Sequence, residues 1–563
     1  MSPSLHGVNT NGSASELKHL TNWVQVNDEP LYAPRKLRVV CVGAGFSGLL
    51  IAYKFKHQYK VQEAIDLAIY EKNADVGGTW LENRYPGVAC DIPAHIYTFP
   101  FEPNPNWSSF YAEGPEILQY IKDTSVKYGL NDMVHLNSEV IESIWDEDAA
   151  QWNIKVKQGD SVFSDAADIL INGSGILNKW RWPDIPGIHS FKGFLVHSAS
   201  WDTSIDWSGK TVALIGNGSS AIQILPKIQP AAKSITNFIR SPTWVAANFA
   251  AEFTKDGKNF SYSEEEKKKF RESPEELLKM RKTIEHGINQ FFYGLMKGSP
   301  QQKKANEISR QIMENRLQHN PDLCKRLIPN FEFGCRRISP GEGYLEALQE
   351  SNVTCCFDPI KRITDLGIET EKDHTNFDII ICATGFDVSF SPSWKLEGRG
   401  GQSLSNLWKE KPDAYFGICA PEQPNYFIFN GPNCPIAHGS LLAAMDSTAD
   451  WIYKWCNKIA SEDIKSVCVK RGALEDFNVY AQEFLKRTVW TGGCRSWFKN
   501  GQIDGPVTAM YPGSIIHYKA ILDSFRCEDF DIEYRSRNRF RFMGNGTTIR
   551  EQQADDLAYY MIK

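Results

Sequence analysis

The chain has 563 residues, of which 42% are hydrophobic and 23% charged, and a formal net charge of −6. That length exceeds what one hydrophobic core supports, so two or three domains are expected. The composition is that of an ordinary globular protein, with no basic face for nucleic acid and no polybasic patch for anionic lipid.

The first residues are polar and rich in Ser, Asn and Gly, and 1–25 reads as a flexible tail rather than a targeting segment. No stretch reaches the roughly eighteen apolar residues of a membrane span. The closing Met-Ile-Lys matches no lipidation or peroxisomal signal, and a cytoplasmic protein is expected. None of the thirteen cysteines stands in a C-x-x-C pair, so no zinc or dithiol centre is signalled. Free thiols are expected, with the adjacent Cys355 and Cys356 packed on a strand.

Short apolar runs that end at turn residues read as buried parallel strands. They are Leu37 to Val42, Leu67 to Tyr70, Thr211 to Ile215, Ile235 to Ile239 and Phe377 to Cys382. Helix-length segments between them imply parallel α/β units. Between about 250 and 330 the pattern becomes helical. Ser263 with Glu266, and Ser273 with Glu276, both read as capping boxes, and Pro274 suits a first helical position. Glu264 and Glu265 stand four residues before Lys268 and Lys269, as on an exposed helix face.

Two motifs carry the first chemistry. Gly43-Ala-Gly45-Phe46-Ser47-Gly48 follows the first strand, where glycines allow backbone N–H groups to approach a pyrophosphate at a helix N-terminus. Glu71, at the end of the next strand, is placed to accept a hydrogen bond from a ribose hydroxyl. Gly216-Asn-Gly218-Ser219-Ser220-Ala221 repeats the turn after Ile215, but the following strand ends at Arg240. A cationic fork there suits a 2′-phosphate and points to NADPH over NADH. Two dinucleotide turns in one chain imply one resident cofactor and one hydride donor. Disulfide reductases, electron-transfer reductases and monooxygenases share that plan; the missing C-x-x-C argues against the first.

Phe191-Lys-Gly193-Phe-Leu-Val-His197-Ser-Ala-Ser-Trp201-Asp202 separates the others. It resembles the fingerprint of the Baeyer–Villiger flavin monooxygenases, F-x-G-x-x-x-H-x-x-x-W-[PD]. Further matches run from residue 37 to about 390. Gly77-Gly78-Thr79-Trp80, Asn83 to Gly87, Asp91 and Tyr97 resemble the segment along the isoalloxazine. Val140 resembles a contact on the adenine side. Gly334-Cys335-Arg336-Arg337 resembles the family's Gly-Cys-Lys-Arg element, with Arg for the commoner Lys. Cys382-Ala383-Thr384-Gly385 resembles the return to the flavin domain. Ser496-Trp497-Phe498 and Asn430-Gly431-Pro432 are looser matches.

The resemblance implies an α/β fold with two Rossmann-like dinucleotide-binding domains and a helical insertion. FAD would be held by 26–175 and 386–563, NADPH by 176–250 and 331–385, with 251–330 as the insertion. It adds Gln223 and Ser241 to the cofactor contacts and makes His197 a hinge residue, not a proton carrier. It implies a reaction in which NADPH reduces the flavin and O2 adds to form a peroxide that attacks a ketone, giving an ester or lactone. Arg337, a permanent cation, would stabilise that anion, and Asp91 would orient Arg337. The partners are then a small-molecule ketone and O2, with no nucleic acid, no membrane span and no metal; a monomer is the expectation. A heteroatom-oxidising monooxygenase and a flavoprotein electron carrier are the alternatives.

Overall fold

The computed structural model describes residues 20–553 and 555–561. Most of the expected tail, 1–19, lies outside the described residues; 20–25 are largely exposed and carry no helix or strand.

Ten strands build two parallel sheets. In chain order they are β1 (Leu37–Val42), β2 (Ile65–Tyr70), β3 (Val134–His135), β4 (Ile169–Asn172), β5 (Phe194–His197), β6 (Thr211–Ile215), β7 (Ser234–Phe238), β8 (Val353–Cys356), β9 (Ile379–Cys382) and β10 (Tyr426–Ile428). The first sheet has the order β10-β4-β1-β2-β3 and the second β8-β7-β6-β9-β5, parallel throughout. The central strands are buried on both faces, which is why they read as unbroken apolar runs. Each Ile or Val so buried contributes about 1.5–3 kcal/mol of transfer free energy. The run from Phe377 pairs as a strand only from Ile379, because Asp378 uses its carboxylate to accept from the Thr211 backbone and hydroxyl.

The central strand of each sheet feeds a helix: α1 (Phe46–Tyr53) follows β1, and α2 (Ser219–Ile228) follows β6. The chain crosses between the sheets twice, from β4 to β5 and from β9 to β10. The expected insertion is present as α3 (Glu264–Glu272), α4 (Pro274–Gln290), α5 (Pro300–Arg316) and α6 (Pro321–Leu327). Ser263 caps α3 in a reciprocal box with Glu266. Ser273 does not cap α4: it is also the C-cap of α3, and its backbone is held in that tight joint. The expected Glu264–Lys268 and Glu265–Lys269 pairs are replaced by Lys267–Glu264 at 3.0 Å and Lys269–Glu276 at 3.6 Å.

The expectation of free thiols is corrected for two of the thirteen cysteines. Cys335 and Cys494, 159 residues apart, form a disulfide, and the other eleven cysteines are free. The many tryptophans are chiefly core: Trp107, Trp152, Trp408, Trp455 and Trp490 are each under 2–3% exposed. No helix among the described residues is long and apolar enough to cross a membrane.

Candidate active site

The first cradle is built by three glycines with different reasons. Gly43 has φ +103°, and a Cβ there would lie 2.8 Å from the Gly173 carbonyl oxygen. A Cβ on Gly48 would lie 2.1 Å from the Gly43 oxygen, so only glycine lets α1 sit on the turn. Gly45 is the N-cap of α1 and no side chain caps it, so the early N–H groups face outward as an anion site. Phe46 and Ser47 open α1, with Ser47 buried. Glu71 is 4% exposed. Its Oε2 accepts from the Ala44 N–H at 2.8 Å, and its Oε1 from the Asn73 N–H and side-chain amide. Burial raises its pKa against these bonds. A carboxylate has about four acceptor positions, so one remains for a hydroxyl while the others brace the loop.

Along this turn Gly78 has φ +52° and would place a Cβ 3.1 Å from the Gly45 Cα. Thr79 and Trp80 begin the short helix Thr79–Glu82. The Trp80 indole N–H donates to the Tyr97 hydroxyl at 3.3 Å, and Tyr97 meets Phe46 and Trp80 edge-on. Val140 is buried beside Val40, Val42 and Tyr70, on the side of the sheet away from α1.

The second cradle differs. Gly216, φ +119°, presses on the Ala383 oxygen, with its Cβ position 2.4 Å away. Around Gly218, the N-cap of α2, a Cβ would meet nothing within 4 Å. No protein contact requires glycine there, and the open space is what close approach of a pyrophosphate needs. The Ser219 hydroxyl is 2.7 Å from that of Ser339, and Ser220 lies beside the Tyr85 hydroxyl. Both ends of the Gln223 amide are engaged by protein, donating to the Ala89 oxygen and accepting from Tyr85. The Ser241 carbonyl accepts from Asn217 at 2.8 Å. Arg240, exposed just beyond β7, lies near half-buried Arg336, whose pKa burial and Arg240 lower. Among the described residues neither arginine forms an ion pair. Two unneutralised guanidinium groups near enough to influence one another fit an anion such as a 2′-phosphate.

Arg337 Nη2 and Asp91 Oδ2 are 2.5 Å apart, with the side chains 36% and 21% exposed. Asp91 raises the Arg337 pKa, outweighing burial, so the cation is permanent. The Phe249 ring centroid is 5.7 Å from the guanidinium carbon, a cation–π contact that no sequence spacing marks. The pair thus joins the segment of the first cradle to that of the second.

The fingerprint folds as the edge strand β5 and the turn beyond it. Phe191 and Trp201 are buried, and Gly193 admits the Asp378 oxygen, 2.4 Å from its Cβ position. Asp202 accepts from the Ser204 N–H and hydroxyl. His197, 1% exposed, accepts from the Ala199 N–H at Nδ1, which leaves Nε2–H to donate to the Thr384 hydroxyl at 3.2 Å. Trp180 stacks on its ring at 4.6 Å, and Trp180 also bridges to Phe386. Both crossings between the sheets therefore meet at this imidazole. Burial lowers its pKa to about 4, so it is neutral near pH 7 and acts by position.

A family model described as an NAD(P)-binding Rossmann-like domain matches residues 41–113. The FAD-binding monooxygenase tazF of Aspergillus terreus is 51% identical over 546 residues, covering 96% of this chain and 97% of that protein. A Baeyer–Villiger monooxygenase of Pseudomonas aeruginosa is 32% identical over 505 residues, covering 88% and 91%. Among solved structures, a closed crystal structure of cyclohexanone monooxygenase matches with a TM-score of 0.76 at 22% identity, over 89% of this chain and all of that one. The OTEMO complex with FAD and NADP matches with a TM-score of 0.77 at 23% identity and the same coverage; these two establish the fold. With near-complete coverage by relatives above 30% identity, the chain belongs to the FAD-binding monooxygenases of the Baeyer–Villiger family.

Proposed function

We propose that this enzyme inserts one oxygen atom of O2 beside a ketone carbonyl to give an ester or lactone, using FAD and NADPH. The observation that carries this reading is the Arg337–Asp91 pair, a fixed cation lying between two dinucleotide cradles. Bound flavin supplies hydride acceptance from NADPH and activation of O2. The protein's part is electrostatic. Arg337 stabilises negative charge as it develops on the reacting oxygens, and a preorganised donor of this kind contributes roughly 3–4 kcal/mol. Asp91 orients the guanidinium and compensates its charge without serving as a base.

The first cradle, with Gly43, Gly45, Gly48 and Glu71, holds FAD within 26–175 and 386–563. The second, with Gly218, Arg240 and Arg336, takes NADPH within 176–250 and 331–385. Gln223, engaged by Tyr85 and Ala89, acts here by clamping the flavin-side loop onto α2. His197 couples the two crossings, so that movement of one sheet relative to the other passes through its hydrogen bond to Thr384.

Turnover of a ketone under 18O2, with product mass spectrometry and a sulfide in parallel, tests this reading. One labelled oxygen in an ester supports it. Sulfoxide formation with no ester from any of a broad ketone panel assigns the protein to heteroatom oxidation instead.

A further inference from the structure

The segment that carries Arg336 and Arg337 has little regular structure of its own. From Ile328 to Ile338 there is no helix or strand. Its hydrogen-bonded anchors to other elements are few: the Arg310 guanidinium donates to the Pro329 oxygen at 3.1 Å, the Trp244 indole donates to the Phe331 oxygen, the Phe333 N–H donates to Asn306 at 2.6 Å, and Arg337 pairs with Asp91, while Ile328, Phe333 and Ile338 pack into the core of the second sheet. Between the packed Phe333 and Ile338, Arg336 has no ion-pair partner among the described residues, yet both arginines must be placed within a fraction of an ångström to bind a phosphate and stabilise an oxyanion.

The missing restraint is the disulfide. Cys335 immediately precedes Arg336, and its bond to Cys494 ties this segment to the C-terminal third of the chain. Both cysteines are at most 2% exposed. The surfaces on either side of the bond are fitted to one another. The turn at Gly334, φ +88°, would bring a Cβ within 3.2 Å of Val489, and one on Gly492 within 2.5 Å of a Glu332 carboxylate oxygen. The far side of the bond is itself rigid. Lys499, 1% exposed, donates to the Gly492 and Ile503 carbonyls and so closes the loop that carries Cys494. Beyond it, the Asn433 N–H donates to the Thr508 oxygen at 2.8 Å. Lys297 reaches in from the helical insertion to the Thr491 hydroxyl.

We propose that the Cys335–Cys494 disulfide is a positioning cross-link that sets Arg336 and Arg337 against the braced 489–503 loop. The proposal rests on the functional reading above. Arg336, next to the cystine, controls recognition of the 2′-phosphate; Arg337, one residue further, controls the fraction of reducing equivalents that ends in product. With both sulfurs buried, reductant reaches the bond only through local opening of the two loops. A dithiol breaks the Sγ–Sγ bond by thiol–disulfide exchange, delivering two electrons and two protons to give two cysteine thiols while the dithiol becomes a disulfide.

The test uses the holoenzyme in four forms: parent, Cys494→Ser, Cys335→Ser, and parent reduced with dithiothreitol. Thiol titration of the unfolded parent without reductant is expected to give eleven thiols of the thirteen cysteines; thirteen would overturn the proposal. In the three forms lacking the bond, the KM for NADPH should rise about tenfold with a smaller change for NADH, since ångström-scale misplacement has effects of up to ~10²-fold. The ratio of product to NADPH oxidised should fall, with hydrogen peroxide replacing product. Backbone hydrogen exchange should quicken in 331–338 and 489–500 and nowhere else. Reoxidation should restore the reduced parent and leave Cys494→Ser unchanged.

A merely structural cystine would lower the melting temperature while leaving, per bound flavin, the NADPH KM and the coupling ratio as they were; that result would overturn the proposal. Should the serine variants fail to fold, the reduced and reoxidised parent decides alone. If the parent oxidises no ketone, the Baeyer–Villiger reading falls, whereas the NADPH KM, the rate of flavin reduction and the exchange pattern still test the cross-link.

Discussion

The two dinucleotide turns share a backbone and differ in what surrounds them. In the first, Gly43 and Gly48 are demanded by protein contacts, and the acid that ends β2 is buried and braced by three hydrogen bonds. In the second, Gly218 faces open space, and the residue just beyond the next strand is an exposed arginine with an unpaired arginine near it. A closed, self-satisfied cradle suits a cofactor that stays; an open, cationic one suits a phosphate-bearing cofactor that comes and goes. Local backbone geometry is thus permissive, and the charge and openness of the next shell select the ligand.

The largest test of this division is at the junction of the two cradles. Arg337→Ala should abolish oxygenation, a loss of roughly 10²–10³-fold, while anaerobic reduction of the flavin by NADPH stays measurable by absorbance. Product formation at the parental rate would remove Arg337 from its role.

Next is the cationic mouth of the second cradle. Arg240→Ala should weaken NADPH by about 1.5–3 kcal/mol, the value of a charge-assisted hydrogen bond, and leave NADH nearly unchanged. Steady-state kinetics with both donors reads this directly, and equal effects would show that no 2′-phosphate sits there.

A matched pair of glycine substitutions sharpens the contrast itself. Gly48→Ala sets a methyl 2.1 Å from a backbone oxygen, with overpacking of about 1–3 kcal/mol, and should release FAD. Gly218→Ala meets no protein atom and should leave the unfolding free energy within about 0.5 kcal/mol of the parent while raising the NADPH KM. Comparable losses of stability in the two would refute the assignment of one turn to packing and the other to ligand approach.

The smallest effect near neutrality is on stability. His197 and His95 are buried with pKa values lowered to about 4. Each binds fewer protons folded than unfolded below its ordinary value of about 6.5. Their contribution is therefore complete above pH ~6.5 and lost as pH falls towards 4. The denaturant midpoint should drop across that window. His95→Phe should flatten part of the slope, because His95 is buried against the edges of the Tyr262 and Phe270 rings and burial outweighs its contact with the Asn104 backbone. An unchanged slope in the variant would clear His95 of the effect.

Much of this was legible in the residues because the forces concerned are local. The strands appear as apolar runs since both faces of a parallel sheet are covered. The box at Ser263 forms as its spacing foretells. The similar spacing at Ser273 fails because that residue also ends the preceding helix, a conflict invisible three residues at a time. The glycine motifs located both cradles, but not which glycine answers to protein and which to ligand. Gln223 stood in the right motif, though its amide partners came from a loop more than a hundred residues earlier.

By itself the sequence determined the α/β class, the two turns, the sign of charge beyond each, and the family. Those are short-range properties: apolar period, backbone permissiveness and side-chain charge. Only the tertiary structure decided that Phe249 lies against Arg337, that both crossings converge on His197, and that Cys335 bonds Cys494. Such contacts join residues distant along the chain, and their formation depends on how the two sheets and the insertion pack, which no local pattern encodes.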